Sequence, residues 1–421
     1  MNKKLLAGLF LSINTLAWAQ DRLQQDDAAK YAASITPSDL KKHLVIIASD
    51  SLEGRDTGSP GQKKAAEYVT KYYKQYGLQP VATDTDGTKS FLQKYKLYKR
   101  SWGDVYVTAH GKKYEFNKDF YLNGLLDVPE EVSTGIVTAG YGIEDGNYND
   151  YANIDVKGRS VMLFDGEPKT SGGKYVVNGN SEKSKWSGPV SWQVKAKLAK
   201  EKGAKYVFII TDKTGEDLDK EIRQRAVMAR RFSAPTLKPV QENPAGTAAF
   251  VFSEKEAAEI LGTSVAKLTK LKSAIDKSGK PAAQNFTNTV SLKVGRVSET
   301  IDTENVAAFM EGTDKKDEVL VISAHLDHIG ISENGEINNG ADDDGSGTVS
   351  LLELAEAFSK AKAEGKGPRR SILFLNVTGE EKGLFGSEYY SENPLLPLKN
   401  TIADLNIDMI GRVDEAHKND P

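Results

Sequence analysis

Val319-Leu320-Val321-Ile322-Ser323-Ala324-His325-Leu326-Asp327-His328 decides how this chain is read. An apolar run ends abruptly in an imidazole flanked by a carboxylate. Two further apolar runs end the same way: Ile372 to Val377 leads into Glu380-Glu381, and Ile402 to Ile407 leads into Asp408. Between the first and second lies an acidic loop, Gly340-Ala341-Asp342-Asp343-Asp344-Gly345. Helical spacing from about Thr348 to Ala361, and a shorter stretch near Leu384 to Ser391, separate the runs. Strand, helix, strand, helix, strand predicts an open, mostly parallel α/β sheet flanked by helices. Continuous apolar strands are what helices on both sheet faces require. Ligands of such sheets bind outside the carboxyl ends of the strands, where all the acidic groups fall.

One imidazole and several carboxylates at neighbouring strand ends suit divalent metals with hard-to-borderline preferences. Cysteine is absent and there are five histidines, His43, His110, His325, His328 and His417, so any metal must be held mainly by Asp and Glu. Period-2 alternation puts His325 and Asp327 on one side of the strand, and Asp327 is expected to orient the imidazole. His328 reads as a pocket wall or turn residue and not as a ligand. The triple aspartate is not an EF-hand, because Gly340 and Leu351 would occupy the first and twelfth ligand positions. Its flanking glycines instead suggest a tight backbone path into a helix, with one of the three carboxylates able to bridge two metals. Glu380 and Glu381 point in different directions at a strand mouth. One can hold a metal while the other moves a proton between an attacking water and a leaving amine. Taken alone, the pair would be an ordinary charged helix start. Asp408, between Ile407 and Met409, is costly to bury unless paired or bound to a cation. No Gly-x-Ser-x-Gly elbow and no phosphate-binding loop is present.

The rest of the chain bounds the context. With 421 residues, 39% hydrophobic and 27% charged, it is a globular protein long enough for two or three domains. A net charge of −3 favours neither nucleic acid nor an anionic membrane as partner. Asn2-Lys3-Lys4, the apolar Leu5 to Leu16 and Ala17-Trp18-Ala19 read as a signal peptide over residues 1–19, too short to span a bilayer. The expected location is periplasmic or secreted. Gln62 to Tyr76 reads as a helix closed by Gly77, its tyrosines packing in the core. From about Val132 the pattern turns to short β-like runs. Trp192 to Lys202 and Glu254 to Lys272 read as helices, and Ser273 to Asn288 as a polar connector.

Together these stretches resemble the M28 family of co-catalytic zinc aminopeptidases. The resemblance is carried by Ser323 to His328, Asn339 to Gly347, Thr378 to Ser387 and Leu405 to Met409, and by the earlier Ile47 to Arg55. The middle, with Ala139-Gly140-Tyr141-Gly142 and Asp155 to Arg159, more loosely resembles an inserted β-rich protease-associated (PA) domain. The resulting expectation is a peptidase domain beginning at 20–130, interrupted by a PA-like domain at 131–285 and completed by a metal-binding part at 286–421. The resemblance implies a secreted zinc aminopeptidase acting on peptides with a free N-terminus. His325 and Asp408 would hold one of two zinc ions, Glu381 the other, and Asp343 would bridge them. Asp327 would orient His325 and Glu380 would be the general base. A cis peptide would fall at Asp343-Asp344. The family's further histidine ligand for the second zinc is not matched by His417, so the chain reads as incomplete at its C-terminus. Two other readings stand beside this one: a peptidase-like binding or receptor module, and a single-zinc glutaminyl-cyclase-like acyltransferase.

Overall fold

The computed structural model describes residues 28–231, 233–239 and 247–413. The signal-like segment 1–19 and His417 lie outside the described residues. The chain forms two compact units, one from residues 1–98, 235–239 and 300–421, the other from 99–234 and 240–299. These divisions fall at 98/99 and 299/300, against the expected 130 and 285. The chain crosses them inside strands Leu92–Ala109 and Gln284–Met310, where no loop marks a boundary.

The first unit carries helices α1 (Pro37–Ile47) and α2 (Pro60–Gln75), strands β1 (Gln284–Met310, by its last residues) and β2 (Lys315–His325), and helix α3 (Gly347–Ala363). Strand β3 (Arg370–Val377), helix α4 (Phe385–Glu392) and strand β4 (Thr401–Asn406) complete it. The sheet order is β4-β2-β3-β1, parallel except for the β3–β1 pair. Alternation then sorts the side chains. Ile322, Ala324, Leu326, Ile372 and Phe374 pack with Ile47, Val69, Tyr73, Leu351 and Leu352 on one face. Val319, Val321, Leu373, Leu375 and Val377 pack with Tyr390 on the other. Two helix starts are fixed locally: Thr36 and Ser59 accept the amides of Asp39 and Gln62, each at 3.2 Å. Tyr73 is fully buried and donates to Asn376 Oδ1 at 2.6 Å, the core role expected of it. Strand β4 differs from its apolar reading: Ile402 and Leu405 are about half exposed.

In the second unit Val128–Thr138, Ser160–Phe164, Tyr206–Ile210 and Ala248–Phe252 run parallel. Phe120–Gly124 pairs antiparallel at one side, and the first residues of β1 at the other. Helices Ser191–Glu201 and Gly215–Arg231 accompany it, so this unit is α/β and not simply β-rich. The expected helix 254–272 is two, Glu254–Ile260 and Val265–Ser278, because Gly262 takes φ +62° and Ser264 caps a new start. The second runs into the predicted connector because Ile275 is buried, and it stops at left-handed Gly279. Among the described residues no helix is long and apolar enough to cross a membrane.

Candidate metal centre

Because β4, β2 and β3 are parallel, their carboxyl ends share one rim. Register aligns them: His325 lies opposite Val377, and Ser323 opposite Asn406. The residues just past each end therefore meet. The His325 Nδ1–H donates to the backbone carbonyl of Asp327 at 3.0 Å, which leaves Nε2 as the free lone pair. Nε2 lies 3.1 Å from Asp343 Oδ1 and 3.7 Å from Asp408 Oδ1. Burial presses this imidazole toward the neutral form, but the charges of Asp344 and Asp327 outweigh it and raise its pKa.

Asp327 orients His325 through its main-chain oxygen. Its carboxylate stands 3.9 Å from Nδ1 and is used elsewhere, accepting Thr57 Oγ1 at 2.7 Å and the amide of Glu380 at 3.2 Å. This fully buried group ties the start of the Glu380-Glu381 loop to the end of β2. Burial pushes its pKa up. Glu380 is raised too, first by burial, then by the charges of Glu381, Asp327 and Asp408, with His325 pulling the other way.

The acidic loop turns through a cis peptide at Asp343-Asp344. Its glycines are obligatory. Gly340 has φ +57°, and a Cβ there would come within 2.5 Å of the His328 ring. A Cβ on Gly347 would meet the Asp344 carboxylate at 2.5 Å. Asp344 is fully buried and acts as a tie: Oδ2 accepts the His325 amide at 3.0 Å, and Oδ1 accepts the amides of Gly347 and Met409 at 2.9 and 3.3 Å. Burial lifts it to about 7.

Two triads of possible ligand atoms, each within 4.8 Å of one another, emerge: His325, Asp344, Asp408, and His328, Asp343, Glu381. In the first, Asp343 is the better donor than Asp344, whose oxygens are already spent on three backbone amides. Asp343 thus faces both groups. His328 joins the second, although its sequence context suggested no ligand role. Its Nδ1 lies 2.7 Å from Glu381 Oε1, yet the two make no hydrogen bond and neither has another partner, although both atoms are buried. An imidazole nitrogen and a carboxylate oxygen brought this close with no hydrogen bond between them are a pair that a cation could satisfy. Imidazole nitrogen and carboxylate oxygen are also the donors zinc accepts in a cysteine-free site.

Asp408 departs from its reading. Its side chain is 41% exposed, so its approach to His325 marks it and burial does not. Arg55, given no role of its own in the Ile47-to-Arg55 stretch, is buried beneath the cluster and bonded to four carbonyls. Tyr95 donates to the Thr378 carbonyl, and Asn305 Oδ1 accepts the Thr378 amide at 3.0 Å. No spacing rule points to these three, since each acts through backbone atoms of a distant segment.

Residues 305–418 match the family model described as Peptidase family M28. Over this segment the chain is similar to peptidase family M28. The segment contains all the clustered carboxylates and both histidines of the rim. The chain is 33% identical over 120 residues to a "Probable glutamate carboxypeptidase LAMP1" of Arabidopsis thaliana, covering 28% of this chain and 16% of that protein. It is 35% identical over 122 residues to a "Probable zinc metalloprotease" of Pyricularia oryzae, covering 28% and 22%. The chain therefore spans less than a quarter of the length of these curated relatives. A solved aminopeptidase from Aneurinibacillus sp. strain AM-1 aligns over 90% of this chain and 71% of its own, at 20% identity and a TM-score of 0.37.

Proposed function

We propose that the chain is a zinc-dependent exopeptidase that removes N-terminal residues from peptides, acting in the periplasm or outside the cell. The observation that carries this reading is the convergence of His325, Asp343, Glu381 and Asp408 beside Glu380 on one strand rim. His325 and Asp408 would hold one zinc ion and Glu381 with the adjacent His328 a second, with Asp343 within reach of both groups. Zinc at such positions supplies Lewis acidity, activating water and polarising a carbonyl.

The remaining work falls to the chain. Glu380 is the group with a free carboxylate at the rim, its main chain pinned by Asp327. Its carboxylate oxygen takes a proton from the attacking water and returns it to the departing amine. Carboxylates near the pair would pair with the charged amino terminus of a peptide, which suits an exopeptidase. The unit formed by residues 99–234 and 240–299 is read as the inserted PA-like domain.

The test is Glu380→Gln in the full chain, assayed on aminoacyl amides. Turnover should fall by about 10²–10⁴-fold while bound zinc, measured by elemental analysis, is unchanged. Wild-type turnover in the variant would remove Glu380 from the mechanism.

A further inference from the structure

Arg55 is 1% exposed, and every hydrogen bond it makes among the described residues goes to a backbone carbonyl. Nε donates to Leu326 at 2.8 Å, Nη1 to Ile47 at 2.8 Å and to Asn339 at 2.7 Å, and Nη2 to Gly340 at 2.9 Å. These carbonyls are not a random set. Leu326 separates His325 from Asp327. Asn339 and Gly340 lead directly into the loop that carries Asp343. Ile47 ends α1 and supplies a fixed point in the core. One rigid planar fork therefore ties the imidazole-bearing strand end and the aspartate-bearing loop to the same helix.

A buried guanidinium is expensive unless compensated. Here the compensating charges are those of Asp327, Asp344, Asp343 and Glu381, the carboxylates of the rim itself. Asn339 reinforces the clamp from its own side: Nδ2 donates to Ala48 O at 2.7 Å and to Asp50 Oδ1 at 2.8 Å. The backbones also approach closely here: a Cβ on neighbouring Gly54 would lie 2.4 Å from Asn338 O.

We propose that Arg55 is a positioning residue for metal binding, holding the 326–327 and 339–343 backbones at the spacing that brings His325 Nε2 and Asp343 together. The proposal rests on the metal reading above. It requires the shape of the fork and not merely its charge. A lysine keeps the charge but offers its donors from a single point.

The test compares the wild-type chain, Arg55→Lys and Asn339→Ala by zinc competition against a chelating dye, below the melting temperature of each. Melting curves with and without zinc accompany it. Arg55→Lys should bind zinc about 10–100-fold more weakly, the scale of losses when groups that orient metal ligands are removed. Asn339→Ala, which leaves no buried charge unpaired, should lose about tenfold or less in the same direction. Zinc should correspondingly raise the melting temperature of both variants less than that of the wild type.

Wild-type zinc affinity in Arg55→Lys would show that charge alone suffices and overturn the proposal. A lowered metal-free melting temperature with unchanged zinc affinity would reduce Arg55 to a core residue and overturn it equally. If Arg55→Lys does not fold, Asn339→Ala decides, and unchanged affinity there refutes the clamp. A wild-type chain that takes up no zinc overturns the metal reading and this proposal with it.

Discussion

Buried charge in the second unit is satisfied by the chain, whereas the rim of the first unit also gathers groups that are not. In the second unit Lys195 is fully buried and donates to the carbonyls of Phe164 and Gly166 at 2.7 and 2.5 Å. Asp150, 2% exposed, accepts the amides of Tyr141 and Ile143, each at 3.1 Å, and the Tyr148 hydroxyl at 3.0 Å. There the polypeptide itself supplies the partners. At the rim of the first unit, His328 Nδ1 and Glu381 Oε1 confront each other unbonded, and Asp343 and Asp408 crowd one imidazole nitrogen. A satisfied buried charge is a structural device, whereas converging unsatisfied donors mark a candidate place for a cation.

The comparison breaks most sharply if carboxylates of the two kinds respond alike to substitution. Asp343→Asn should abolish zinc uptake at the rim and lower turnover by at least about 10²-fold, as loss of a group that acts as a unit with others does. Its metal-free form should melt no lower than the wild type, because a like charge has been removed from a crowded cluster. Calorimetry without zinc and elemental analysis with it check both halves. Lower metal-free stability in that variant would make Asp343 structural.

Asp150→Asn should do the reverse, destabilising at neutral pH with no effect on zinc content, and it carries a pH signature. Burial raises Asp150 to about 6, so the folded state holds its proton more tightly than the unfolded chain does. Its stabilising contribution is complete below the ordinary carboxylate pKa near 4 and is lost as pH rises through about 6. Urea unfolding between pH 4 and 7 should therefore show the wild type losing roughly 3 kcal/mol that Asp150→Asn does not lose. Parallel curves would refute the assignment.

Lys195→Met gives the smallest of these effects. It leaves the carbonyls of Phe164 and Gly166 without their donor, at a cost of about 1–3 kcal/mol. Because burial holds Lys195 down to about 8, the wild-type chain should gain stability as pH rises from 8 toward 10, the range in which the folded lysine has lost a proton that the unfolded one still holds. Lys195→Met should lack that gain. A variant as stable as the wild type at pH 7 would mean that this buried charge contributes nothing.

Much of this was legible from short stretches alone. The apolar runs of β2 and β3, the helices between them and the acid groups at their ends follow from periodicity and spacing, because neighbours along a strand or helix turn are fixed by backbone geometry. Strand starts were displaced, as at β2, which begins at Lys315, four residues before the apolar run does. The helix 254–272 was misjudged because Gly262 and Ser264 sit inside a pattern that otherwise reads as one amphipathic run.

The sequence by itself determined which residues could carry the chemistry. With no cysteine and few histidines, the donors had to be His325 and the carboxylates that end successive strands. Only the tertiary structure decided how they divide the work. It spent Asp344 on backbone amides and left Asp343 facing two histidines, brought His328 to Glu381, exposed Asp408 and placed Arg55 beneath them all. The reason is physical: a side chain's burial and hydrogen-bond partners are set by segments from 19 to 285 residues away, and no local pattern records them.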